Sequence, residues 1–322
     1  MVKLGDVINV HYGKALKADQ RVSNGSVHVF GSSGIVGNHD KTLCSYPTII
    51  IGRKGSVGAI TWAPDGGWII DTAYYVEIKD NNKLDLRYLF YILSGIDLTK
   101  KTITTSIPGL NRDDLYDTFI KLPPFEEQKR IVDLLDKAEG IRQKREQAIK
   151  LADDFLRAKF LEMFGTPANN IHRFPKGTIR DLVDSVNYGT SAKASIDSGE
   201  YPILRMGNIT YQGRWDFTDL KYLDLSVKEK DKYLVKEGDL LFNRTNSKEL
   251  VGKTAVYEED RPMAFAGYLI RVRPNSIGNN YYISGYLNSI HGKITLMNMC
   301  KSIVGMANIN AQELQNIEIL IP

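Results

Sequence analysis

The residues of this chain best suited to chemistry lie in polar loops rich in Gly, Ser, Asn and Arg. They are "GSSGIVGNHD" (31–40), "GRKGSVG" (52–58), "SIPGLNR" (106–112), "LRMGNITYQGRW" (204–215), "FNRTNSKEL" (242–250) and "SIVGMANINAQE" (302–313). Arginine and asparagine pair bidentately with guanine and adenine edges, lysine and serine serve phosphates, and glycine lets backbone approach closely. Side-chain type and placement single out Arg53, Lys54 and Arg112 in the first half, and Arg205, Asn208, Asn243, Arg244 and Asn246 in the second. Ordinary loop chemistry would explain any one such loop. Their occurrence at equivalent places in both halves favours a doubled recognition surface.

Catalytic constellations are not found. "SKELVGKT" (247–254) resembles a phosphate-binding loop, but Ser247 stands where the first glycine belongs. Its counterpart in the first half, "GRKGSVGAI", lacks the Lys-Thr pair. No GxGxxG follows a strand, and "LPPF" has Leu122 where a methyltransferase signature needs an amide or carboxylate. His11, His28, His39, His172 and His291 are scattered without metal-ligand spacing. Cys44 and Cys300 suggest neither a disulfide framework nor a zinc site. The sequence therefore implies no catalytic residue, metal or cofactor of its own.

The elements that must position the loops repeat. "LGDVI" (4–8) matches "IRDLV" (179–183), and each is followed at nearly equal distance by Tyr-Gly, Tyr12-Gly13 and Tyr188-Gly189. "PTIIIGR" (47–53) aligns with "GDLLFNR" (238–244), and "AYYV" (73–76) with "GYLI" (267–270). "SIPG" and "LNRDDLYDTFIKLP" (106–123) match "SIVG" and "INAQELQNIEILIP", with Met306 to Asn308 as three extra residues between the two pieces. Each match is weak, but their shared order makes an internal duplication. Short β-rich runs such as "TIIIG", "VGAITW", "GDLLFNR" and "FAGYLIRVR", with one helix near "DLRYLFYILSG" or "NYYISGYLNSI", predict an α+β domain in each half.

Between the halves, Glu126 to Met163 contains no Pro and a single Gly, Gly140. Pro123 and Pro124 stand before it, and Gly165 and Pro167 after it, so both ends of a long helix are marked. Apolar residues recur every seven positions in two columns, Leu134, Ile141, Ala148, Phe155 and Leu135, Ile149, Leu156, Met163, with Arg142 interrupting the second. That period is a coiled-coil seam or a narrow packing stripe. Pairs such as Glu126 with Arg130 and Asp133 with Lys137 have helical spacing. About 38 residues at ~1.5 Å rise give a rod of roughly 57 Å, so the seam needs a partner helix or another subunit.

At 322 residues and 43% hydrophobic, the chain is long enough for two domains. A net charge of +4 is compatible with nucleic acid and too mild to demonstrate it. No apolar run approaches the ~18 residues of a membrane span, and a cytoplasmic setting is the default expectation.

The segment "LPPFEEQKRIVDLLDKAEGIRQKREQAIKLADDFLRAKFLEMFG" (122–165) resembles the spacer region of DNA specificity subunits of type I restriction-modification systems. The halves on either side match that family's two target recognition domains in order, so the resemblance covers the whole chain. It implies recognition domains at 1–123 and 166–322 joined by a coiled-coil-type helix at 124–165. Each domain would read one half of a split, asymmetric target in double-stranded DNA. The helix would set the spacing and dock two methyltransferase subunits, which carry S-adenosylmethionine, with restriction subunits beyond them. The family usually has a second such helical region after the second domain, whereas this sequence reaches Pro322, the equivalent of Pro123. The expected partner for Leu134, Ile141, Phe155 and Leu156 is then a second copy, a methyltransferase subunit or a separate helix. The rival reading is a non-catalytic scaffold that displays two interaction domains on a rod.

Overall fold

The computed structural model describes residues 1–101, 109–303 and 306–322. The "SIPG" and "SIVG" matches therefore lie largely outside the described residues. Two compact units divide at Arg145 and Glu146, inside the long helix Phe125–Phe164.

In the first unit, Val2–Lys3 pairs antiparallel with Phe119–Ile120. A four-stranded antiparallel sheet runs in the order Ile8–Tyr12, Ala73–Ile78, Thr48–Gly52, Ile60–Ala63. A second sheet has Val27–Gly31 between Gly34–His39 and the parallel strand Trp68–Ile69. Ile49, Ile51, Tyr74 and Val76 of the first sheet pack against Leu89 and Leu93 of helix Leu86–Ser94. On the other face Ile50 and Ala73 join Phe30 and Ile69 of the second sheet. Thr48–Gly52 is buried on both faces, which is why "TIIIG" is a continuous apolar run rather than an alternating one.

The second unit repeats this arrangement, as the matched segments require. Lys176–Thr178 pairs with Glu318–Leu320. The main sheet runs Val183–Tyr188, Leu269–Pro274, Leu240–Asn243, Thr254–Val256, all antiparallel. The second sheet includes Tyr201–Leu204 parallel to Met263–Phe265, mirroring the parallel pair of the first unit. Helix Asn280–Asn288 takes the place of Leu86–Ser94, and the turn-like helices Arg112–Tyr116 and Ala311–Gln315 correspond. The three extra residues form a strand, Met306–Asn308, which pairs with Thr245–Asn246. Among the described residues, helix Ile290–Met299 belongs to the second unit alone.

The long helix has the predicted ends. Gly165 closes it at φ 71°, with its N–H on the Leu161 carbonyl, a left-handed cap that favours glycine. Each end is anchored to the unit it belongs to. Gln128 is fully buried: its Oε1 accepts from the Asp85 N–H (2.9 Å) and its Nε2 donates to the carbonyls of Lys83 (2.8 Å) and Pro123 (2.9 Å). Asp136 pairs with Arg87, whose guanidinium also lies 4.9 Å from the ring centroid of Trp62. Burial pushes the Asp136 carboxyl up, but hydrogen bonds from Tyr91 and Arg87 outweigh it and hold the group below its ordinary value. At the other end Phe160 and Phe164 pack on Tyr282, and a Cβ at Gly285 would come within 2.5 Å of the Phe160 ring. Between these anchors the seam is open: Leu134, Ile141, Phe155 and Leu156 are 69, 55, 60 and 61% exposed.

Candidate nucleic-acid interface

In the first unit the register places Tyr12 beside Tyr74, and Gly52 beside Ala73, at one end of the main sheet. Arg53 follows Gly52 directly, and its guanidinium lies 5.1 Å from the Tyr12 ring centroid and 5.8 Å from that of Tyr74. The two tyrosine rings meet edge to face at 5.0 Å. Arg112 approaches the same Tyr12 ring at 5.3 Å from the first turn of its helix, which Asn111 caps. One exposed tyrosine thus gathers two arginines. Each such contact is worth ~0.5–1 kcal/mol at an exposed site, a bias that draws both arginines toward the same ring.

Backbone bonds fix the loops that carry these residues. The Arg53 carbonyl accepts from the Leu110 N–H (2.9 Å), and Arg53 Nη1 donates to the Asp71 carbonyl (3.1 Å). The Tyr74 hydroxyl donates to the Leu110 carbonyl, and burial pushes its phenol up to about 12, keeping it a neutral donor. Lys54 is exposed and forms a β-bridge to Gly109. Arg53, Lys54 and Arg112, chosen from the sequence, therefore share one surface.

The second unit rebuilds the pair. Tyr188 and Asn243 lie at the same end of the main sheet, and Arg244 stacks on Tyr188 at 4.8 Å. The Arg244 carbonyl accepts from the Ile309 N–H at 2.9 Å, the counterpart of the Leu110–Arg53 bond. The periphery differs. Ala311 stands where Arg112 stands, and its N–H donates to the Tyr188 hydroxyl. Arg244 Nη2 lies 3.4 Å from Asn308 Oδ1, on the extra strand. Arg112, Arg205 and Arg244 each keep a buried Nε with no hydrogen-bond partner among the described residues.

Asn246 and Arg205 line a cleft of about 690 Å³ together with Lys193, Lys221, Lys253 and Tyr268. Arg205 donates to the Asp219 carbonyl (2.8 Å) and carboxylate (2.9 Å). Asn208 and Asn243 are placed otherwise than the loop chemistry suggested. Asn208, 3% exposed, caps its own turn: Oδ1 accepts from the Arg205 N–H and Nδ2 donates to the carbonyls of Asp216 and Asp219. Asn243 is fully buried, with Oδ1 facing the Thr245 N–H. Both shape the loops that present Arg205 and Arg244 and lie beneath the surface themselves.

Residue-type reasoning missed Tyr12 and Tyr188. The signal was the Tyr-Gly pair. A Cβ at Gly13 would sit 2.1 Å from the Ile70 carbonyl oxygen, and one at Gly189 would sit 2.3 Å from those of Phe265 and Ala266, so only glycine fits after each tyrosine. Among the described residues there is no group of three or more His, Cys, Asp or Glu able to hold a metal, and no helix long and apolar enough to cross a membrane.

Comparison with known proteins decides the family. The model of the type I restriction modification DNA specificity domain matches residues 1–151 and 174–322. The chain belongs to that family. Its two copies of the specificity domain coincide with the two units that share a topology. A Methanocaldococcus jannaschii protein described as a type I restriction enzyme MjaX specificity subunit is 31% identical over 148 residues, 45% of this chain and 34% of its own length. The Escherichia coli type I restriction enzyme EcoKI specificity subunit is 25% identical over 218 residues, 63% of this chain and 47% of its own. The chain thus spans about a third to a half of the curated relatives it matches. Among solved structures, the S subunit of a type I restriction-modification system from M. genitalium has a TM-score of 0.58 at 15% identity, covering 98% of this chain and 83% of that one. A chain from a type I R-M assembly has a TM-score of 0.52 at 18% identity, covering 100% and 85%. At these identities the likeness establishes the fold of the specificity domains.

Proposed function

We propose that this chain is the DNA-reading subunit of a type I restriction-modification complex, each unit recognising one half of a split, asymmetric target. The observation that carries the proposal is the arginine-on-tyrosine pair built twice, at the same sheet end and with different surroundings. Arg53 on Tyr12 has Arg112 beside it, whereas Arg244 on Tyr188 has Ala311 and the extra strand. Equal scaffolds with unequal peripheries suit two different half-sites. Arginine held by an aromatic ring is pre-organised for bidentate contact with guanine, and the neighbouring Lys54 and Asn246 suit phosphate and base-edge contacts.

Catalysis falls to other subunits in this proposal. Methyltransferase subunits, two by the family resemblance, would bring S-adenosylmethionine, and restriction subunits would join them. The helix Phe125–Phe164 would fix the spacing of the two readers, and its open seam through Leu134, Ile141, Phe155 and Leu156 would take a methyltransferase subunit, a helix or a second copy of the chain. The test is binding of the chain, with a methyltransferase partner, to a pool of sequence-randomised duplex DNA. The proposal expects enrichment of a two-part sequence and a steep fall of affinity with salt. A scaffold for protein partners alone would enrich nothing and show no salt slope.

A further inference from the structure

Beside Arg244 the second unit opens into the cleft lined by Lys193, Arg205, Lys221, Asn246, Lys253 and Tyr268. Four of these are cations, set in a lining that also includes Ile203, Met206 and Leu250; Arg205 is paired with the Asp219 carboxylate, and no carboxylate lines the cleft among the described residues. Lys253 is the unusual member. It is 7% exposed, and its ammonium makes one hydrogen bond among the described residues, to the Met206 carbonyl at 2.8 Å. An ammonium has three donors, so two remain for a ligand. Burial pushes Lys253 below the ordinary lysine value, and Lys253 in turn helps depress Lys293. A desolvated cation costs folding energy unless an anion joins it. This lysine belongs to the Gly252-Lys253-Thr254 triplet that resembles a phosphate-binding loop. It leads into the strand Thr254–Val256 rather than a helix, so a nucleotide-binding helix N-terminus is absent from this spot.

Three features select the ligand. Three of the four cations are lysines, point charges rather than the fixed fork that reads a base edge, which suits a phosphate. The cleft adjoins the strand end that carries Arg244, since the Tyr268 carbonyl accepts from the Arg244 N–H at 3.0 Å and Asn246 lies two residues on. Its volume, about 690 Å³, exceeds a lone ion's needs and accommodates a segment of backbone. We propose that this cleft seats a backbone phosphate of the DNA strand read by Arg244, with Lys253 as the anchoring donor and Lys193, Arg205 and Lys221 surrounding it. The inference rests on the DNA-reading function proposed above.

The experiment uses the full chain and its methyltransferase partner with sequence-randomised duplex DNA, comparing wild type with Lys253→Met, Lys253→Arg and the rim pair Lys193→Gln/Lys221→Gln. Binding constants are measured across a salt series, and the enriched sequences are read. Lys253→Met is expected to weaken all sequences alike, several-fold, and to lower the slope of log K against log salt by about one unit per lost phosphate contact. Lys253→Arg should restore most of the slope, and the rim pair should lower it without touching Lys253, which separates charge from folding. A changed base preference in Lys253→Met, or an unchanged slope in both Lys253→Met and the rim pair, overturns the proposal while leaving the DNA-reading function standing. Competition by a free mononucleotide at micromolar concentration would assign the cleft to a small ligand and likewise overturn it. A wild-type chain that binds without salt dependence refutes both readings.

Discussion

Replacing Gln128 with alanine should loosen the long helix from the first unit. Gln128 is buried and makes three hydrogen bonds, accepting from Asp85 N–H and donating to the carbonyls of Lys83 and Pro123. A net hydrogen bond contributes ~0.5–1.5 kcal/mol, and a buried group left unpaired costs ~1–3 kcal/mol. Truncation removes all three bonds and leaves one N–H and two carbonyls without Gln128. With partial rehydration through the space vacated, the loss is expected at about 2–4 kcal/mol. In a chain of two units a single unfolding midpoint mixes both, so the readout is hydrogen exchange at named amides. The Asp85 amide should exchange faster in Gln128→Ala, while amides of the second-unit strand Leu240–Asn243 stay unchanged. Gln128→Glu should destabilise at least as much as alanine, because it keeps the acceptor for Asp85 but turns a buried carboxylate toward the Lys83 and Pro123 carbonyls. Unchanged Asp85 exchange, with the first unit's stability intact, would refute the idea that this side chain ties the helix down.

Other outcomes follow from the same geometry. Lys293 is depressed to about 8, by burial first and then by Arg157 and Lys253, so the unfolded chain binds more protons from about pH 8 up to its ordinary 10.5. Stability of the second unit should therefore rise with pH across that window. Denaturation of Lys293→Met should lack that component, and identical pH profiles would contradict the assignment. Changing Leu134, Ile141 and Phe155 to polar residues should abolish association of the isolated chain in light scattering, since each buried side chain contributes ~1.5–3 kcal/mol. A wild-type chain that is monomeric at micromolar concentration would show that the seam does not self-associate. The purified chain should neither methylate nor cleave DNA with S-adenosylmethionine and magnesium present, and turnover that tracks with the pure chain would count against that expectation.

The large features were legible because they are written as periodicities. The heptads from Leu134 to Met163 and the glycine at 165 marked the helix, and the collinear matches anticipated two units of one topology. Arg53 and Arg244 stand out in sequence because their positions relative to the repeated strands coincide, whereas Arg112 has Ala311 as its counterpart. Asn208 and Asn243 do not reveal their places, because residue type does not report burial: an asparagine that caps a turn and one that reads a base look alike in sequence. In sequence Tyr12 and Tyr188 are landmarks of the repeat, and only the register of the sheet brings them under the arginines. The basic cleft gathers residues from 193 to 268 that share no motif. The dividing point at Arg145 lies inside an unbroken helix, where no turn residue announces it.

The central claim, that each unit reads its own half of a split target through an arginine held on a tyrosine, is tested most directly by mapping methylated sites in cells carrying the complete system with this chain as wild type, Arg53→Ala or Arg244→Ala. The account predicts a two-part site in which Arg53→Ala relaxes a position of one half and Arg244→Ala a position of the other, each at ~1–3 kcal/mol of lost discrimination. Loss of preference in the same half from both substitutions, or a uniform fall in methylation with every base preference intact, would contradict it.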